Sequence, residues 1–222
     1  MGETAKNLDS GEQEAKRFRT LALRYQEIGA IYGIIIHPFR SPDMPYFERA
    51  TSAQRKKATD FLESIVDIHE ETLAAKVAAI NTKQLIWRAL RRLSLVPGPQ
   101  AFDSIADNDV VVIYGENQSA IFWNLQFFQF SSLSVEEMFF GVWHNFTKRD
   151  PAIHKKLYEM ALDIISGKIT GTFTPDVPPH EVQEIDSLEC IKTMMGLPSI
   201  SVLTSMGHFA GMLIVQRMKI IE

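Results

Sequence analysis

The chain has 222 residues, enough for one domain with an extension or for two small domains. Hydrophobic residues make up 45% and charged residues 23%, the balance of an ordinary globular protein, and the net charge of −4 gives no electrostatic reason to expect direct nucleic-acid binding. One cysteine, Cys190, excludes an internal disulfide framework and a paired-cysteine metal site. No apolar run is long enough to span a bilayer and no signal-like segment is evident, so the expected location is cytoplasmic.

Residues 1–12 are polar and are expected to fray. From Glu14 to Ile36 the spacing of Phe18, Leu21, Tyr25, Ile28 and Ile31 predicts a helix, although Ile34-Ile35-Ile36 suits extended chain. Three prolines between His37 and Pro45 stop it. Thr51 or Ser52 then starts a long helix, predicted to reach about Leu95. Leu62, Val66, His69, Leu73, Lys76, Ile80, Lys83, Trp87 and Leu90 follow a heptad-like four-three spacing. That seam suits packing within the chain and also suggests a homodimer. His69 is expected at a seam or solvent position. Val96-Pro97-Gly98-Pro99 ends the helix and marks a boundary between residues 1–98 and 99–222.

Val110 to Tyr114 reads as a buried strand, Gly115 to Gln118 as a turn, and Ala120 to Trp123 as its hairpin partner. Asn124 is placed to cap a short helical stretch holding Leu125, Phe127, Phe128 and Phe130. Ser134 with Glu137 has capping-box spacing for the next helix. Asp150-Pro151 opens a further helix with the stripe Ile153, Leu157, Met160, Ala161 and Ile164, closed by Gly167. Residues 170–179 carry three prolines and read as irregular. Val182–Met194, Leu197–Thr204 and Phe209–Met218 are strand-like, with turns at Gly196-Leu197-Pro198 and Ser205 to His208.

The order of these pieces resembles a PAS domain. The residues that carry the resemblance are Asp109 to Ile113, Ile121-Phe122-Trp123-Asn124, Ser134-Val135-Glu136-Glu137-Met138, and Gly207 with Gly211 before Leu213-Ile214-Val215. The expected fold class is therefore α+β: an N-terminal helical region followed by a PAS-like five-stranded antiparallel sheet with flanking helices. The Asp-Ile-Thr ending frequent in the family is absent, and Arg217-Met218-Lys219 stands there. Output is accordingly assigned to the N-terminal helices.

The resemblance implies a cytoplasmic sensory protein with a small apolar ligand or cofactor between sheet and helices and a downstream protein partner. Phe122, Asn124, Phe127, Phe128, Trp143 and Tyr158 are the expected ligand-binding residues. His154, early on its helix and followed by Tyr158, is similar in placement to the axial ligand of haem-binding members, so haem is an alternative cofactor. A solid interaction module with its aromatic rings filling the core is the other reading. The common nucleophile, phosphate-loop and zinc-protease motifs are missing, so no enzyme is expected. Cys190 is expected in a strand as a buried thiol, and His144 and His180 in loops.

Overall fold

A computed structural model describes residues 3–75, 81–116, 119–141 and 146–221. Six helices can be followed among them: α1 (Glu3–Ile31), α2 (Pro45–Arg49), α3 (Ser52–Ala74), α4 (Thr82–Arg92), α5 (Val135–Phe140) and α6 (Pro151–Ile165), with a 3-10 helix at Leu125–Gln129. The strands are β1 (Val96–Pro97), β2 (Val110–Gly115), β3 (Ala120–Trp123), β4 (Thr147–Arg149), β5 (Thr172–Phe173), β6 (His180–Glu184), β7 (Lys192–Ser205) and β8 (His208–Ile220). They form one antiparallel sheet in the order β3-β2-β8-β7-β6-β4, with β1 and β5 also on β7. The protein is α+β with N-terminal helices preceding the sheet. Among the described residues there are eight strands where five are expected, because β1, β4 and β5 are too short to carry an alternation.

The polar first residues are helical from Glu3, not frayed as composition suggests. Past Ile31 the chain turns at Gly33 (φ 70°), and Ile34 and Ile36 are buried while Ile35 is exposed, so the isoleucine run is extended. The single helix predicted from 52 to 95 is two helices. Asn81 caps the second by accepting from the Gln84 N–H, and strong helix formers on both sides hide the break in the sequence. Lys76 and Ile80 of the predicted seam lie outside the described residues.

Thr51 and Gln54 form a capping box at the start of α3. Arg17 reaches Asp60 and Glu63, and Arg24 reaches Glu70, so α1 and α3 run parallel. Arg88 meets Glu71 and Arg92 meets Asp67, so α3 and α4 are antiparallel. The seam members Leu62, Val66, His69 and Leu90 are buried within this one chain, while Trp87 is about half exposed.

Strand register sorts the sheet residues into two faces, because successive side chains alternate. Val111 pairs with Val215, and Ile113 with Leu213 and Phe122; these residues share a face and are buried in a cluster with Leu62, Ile65, Ile68, Leu85, Ile86 and Leu90 of the helices. His69 stacks on Phe122 there (ring centroids 6.4 Å apart). Its Nδ1 donates to the Ile65 carbonyl at 2.7 Å, and burial lowers its pKa to about 4. His69 is therefore a neutral core residue: it keeps its place in the seam, and the solvent-facing alternative is corrected. The apolar cluster is continuous across the 98/99 junction.

Two further sequence expectations are revised. The turn expected at Gly196-Leu197-Pro198 is a register shift within the continuous β7, where a proline is tolerated for want of a ladder partner. The turn that ends β6 lies at residues 185–191 instead, with Asp186 (φ 59°) and Cys190 (φ 51°) in left-handed conformation. Cys190 is consequently exposed in a loop, not buried in a strand. At the β7–β8 turn, Met206 and Gly207 both have positive φ, the geometry that a two-residue hairpin requires. No described helix is long and apolar enough to cross a membrane.

Candidate functional site

The opposite face of the sheet carries Val112, Tyr114, Met195, Thr193, Val182 and Gln216, by the same register. It does not close onto the helices above it. A cavity of about 670 Å³ lies between that face, the segment 127–133, α5, and the start of α6, within the size range of small-molecule sites. Phe127, Phe130, Phe139, Phe140 and Phe146 supply its aromatic walls. Gln54, Lys57, Ala58 and Phe61 bring the first half of α3 to the same space. The second half of α3 is buried on the sheet's packed face, so one helix meets both environments.

The roof of the cavity is fixed from below and from the side. Ser134 and Glu137 form the expected capping box of α5. Glu136 accepts from the backbone N–H groups of Tyr46 and Phe47 (2.7 and 2.9 Å), joining α5 to α2, and burial raises its pKa. The Val135 N–H donates to the His37 carbonyl, pinning the proline-rich connection to the same helix. Glu184, at the end of β6, accepts from the hydroxyls of Ser131, Ser132 and Ser187 and from the Ile191 N–H. It is the one carboxylate among the described lining residues, and its two oxygens are taken up by these donors.

A second, smaller cavity of about 90 Å³ lies beneath α6, lined by Leu157, Met160, Ile164 and Ile200. Tyr114, Arg149, Met195 and Gln216 line both spaces and stand between them. Gln216 is 8% exposed, and its side-chain amide makes no hydrogen bond to another described residue. Burial raises the Tyr114 pKa and lowers that of Arg149, and each opposes the other's shift through their mutual attraction. The chamber is thus apolar at its walls and polar at one waist.

Of the residues singled out by sequence, Phe127, Tyr158 and His154 line the larger cavity. Phe122, Asn124 and Phe128 do not. Phe122 pairs with Ile113 and so points to the packed face; a shift of one residue in a strand exchanges faces, and the sequence of a four-residue strand does not fix that parity. Asn124 is fully buried, but its side chain caps no helix: it accepts from the Val111 N–H of β2 and donates to the carbonyl of Asp109, just before that strand. Phe128 packs against Tyr25 and Trp123 in the helix-side core. Trp143 and His144 lie outside the described residues.

Arg149, Tyr114, Gln216 and the α3 residues were missed. Arg149 alternates with exposed Lys148 in Thr147-Lys148-Arg149, a signal too short to read without its strand partner. His180, expected in a loop, opens β6 and is buried, with Nδ1 against the Pro178 carbonyl and its pKa lowered by burial. Among the described residues no group of three or more His, Cys, Asp or Glu is placed to hold a metal ion. Compared with known proteins, the chain matches no family model, no curated protein and no solved structure.

Proposed function

We propose that this is a cytoplasmic sensory or regulatory protein in which a PAS-like region, residues 99–222, binds a small organic ligand and reports its presence through the helices of residues 1–98. Support for the PAS-like reading comes from the five-strand run β3-β2-β8-β7-β6, with the helices falling between β3 and β6 in sequence. The observation that carries the function is the 670 Å³ cavity with α3 in its wall. A ligand that contacts α3 differently in two packings shifts the balance between them, which is the thermodynamic requirement for signalling. The wall chemistry is that of recognition: Glu184 is engaged by serine hydroxyls, and no catalytic role is assigned to any residue.

Haem fits the site less well than an organic ligand. His154 is a single half-buried imidazole one helical turn before the half-exposed Tyr158, and the described lining residues include no second histidine and no cysteine to serve as a further ligand. Native mass spectrometry of freshly purified protein, with an ultraviolet–visible spectrum, tests the reading. A mass excess without a visible band is expected, and Ala120→Phe, which fills the cavity from β3, should remove it while circular dichroism stays unchanged. Protein mass alone in the unaltered chain, with no uptake of any apolar ligand added, would overturn ligand sensing.

A second reading, a docking or homodimer module, is favoured by one surface. Trp87 on α4 is 49% exposed under the Arg91 guanidinium (4.8 Å from ring centroid), an arrangement common at protein contacts. Sedimentation that gives a dimer mass for the unaltered chain and a monomer mass for Trp87→Ala would establish it.

A further inference from the structure

Three polar side chains at the waist between the two cavities define what kind of ligand the site would take. Gln216 offers two N–H donors and a carbonyl from a residue only 8% exposed, with no side-chain hydrogen bond to another described residue. The Tyr114 hydroxyl is likewise without a hydrogen bond to a described residue, and it faces the same waist. Arg149 adds a planar guanidinium whose five donors can hold a carboxylate alongside the partners it has in the fold. Around this cluster the walls are apolar: phenylalanines on one side, and Leu157, Met160 and Ile164 on the other.

We propose that the site binds an amphipathic organic acid, its carboxylate held at Tyr114, Arg149 and Gln216 and its apolar body lying in the aromatic chamber. The proposal rests on the ligand-binding reading above and adds the ligand's class. A single negative charge matches the cluster. Glu184 lines the same cavity, and a carboxylate there disfavours a dianion such as a phosphate monoester. Lys57 also lines the larger cavity, but its ammonium lies over the Phe61 ring at 5.6 Å, and it comes from α3 and not from the strands that carry the cluster. Burial, which lowers the Arg149 pKa, also strengthens the attraction between its guanidinium and a carboxylate that displaces water. A polar waist with apolar space on both sides recognises the acid group by hydrogen bonds and the body by shape.

Isothermal titration calorimetry with decanoate and decan-1-ol, and with 4-phenylbutanoate and 4-phenylbutan-1-ol, tests the class on the full chain. Each acid is expected to bind at least ten-fold more tightly than its alcohol. In Arg149→Gln that advantage should fall to within two-fold, and in Gln216→Leu it should shrink by a smaller factor, with both variants checked for folding by circular dichroism. Equal affinity of acid and alcohol in the unaltered chain would overturn the carboxylate assignment while leaving an apolar ligand site. Binding of neither acid nor alcohol would overturn the ligand-binding reading and this proposal together. An acid preference that survives in folded Arg149→Gln and Gln216→Leu would overturn the placement of the carboxylate.

Discussion

The two faces of the sheet are built from similar residues and end in different states. On one, Val111, Ile113, Leu213 and Val215 are fully buried against α3 and α4, with Phe122 and His69 stacked between them. On the other, Val112, Met195, Gln216 and Met218 look into about 670 Å³ of space whose described lining includes six phenylalanines. Hydrophobicity alone does not separate them. The packed face meets helices whose branched side chains interdigitate with it, whereas the open face meets a short 3-10 helix and the six-residue α5, which present large rings but too little backbone to close over it. An apolar sequence specifies burial; the length of the covering elements decides whether the burial is solid.

Truncation gives the sharpest contrast between the faces. Leu213→Ala on the packed face should lose about 3 kcal/mol of stability, while Met218→Ala on the cavity wall should lose about 1 kcal/mol, because only the first opens a new void in close-packed surroundings. Urea unfolding measures both, and equal losses would mean that the cavity face is packed in solution.

Acid should act on the packed face of similar magnitude. The folded His69 protonates only near pH 4, whereas the unfolded imidazole takes up a proton below about 6.5, so in that window the unfolded chain binds more protons and stability falls as pH falls. The loss attributable to this group is about 3 kcal/mol across the window. Its ring is faced by Tyr25 and Phe122, neither of which titrates there. In His69→Phe that part of the pH dependence should vanish; an unchanged slope would mean that the buried imidazole does not carry it.

The smallest effect lies at the cavity's rim. Asp150 accepts from the N–H groups of Ala152 and Ile153 at the start of α6, so Asp150→Ala should cost about 1 kcal/mol. Amide hydrogen exchange should show the loss confined to α6 and the cavity side, leaving α3 and α4 as protected as before.

Local chemistry made much of this legible. The β2–β3 hairpin, the Ser134 capping box, the proline-led α6 and the Met206-Gly207 turn are each written in a few adjacent residues. What could not be read there depends on partners distant in sequence. The face on which Phe122 falls is set by pairing with Ile113, and the inward turn of Arg149 by pairing with Val182. The break before Asn81 sits among helix formers, and the bulge at 196–198 looks like a turn because glycine and proline serve both. The site was therefore half visible: its aromatic wall follows from composition, and its polar waist from topology.

One feature of the sheet bears on how the chain reaches this state. β8 lies between β2 and β7, joining Val110 to Gln216 and Ser201 to Leu213. It also follows every other described strand in sequence, so during synthesis β2 and β3 wait without their central neighbour. Until β8 arrives, the apolar face of β2 is exposed and its pairing edge is open, and closing it spans about a hundred residues of chain. The folding nucleus of the sheet is thus expected in the β7–β8 hairpin, which needs only a two-residue turn, with β2–β3 docking afterwards. For such a chain the hazard is kinetic: a pause in translation before residue 208 leaves the apolar strand β2 without its central partner.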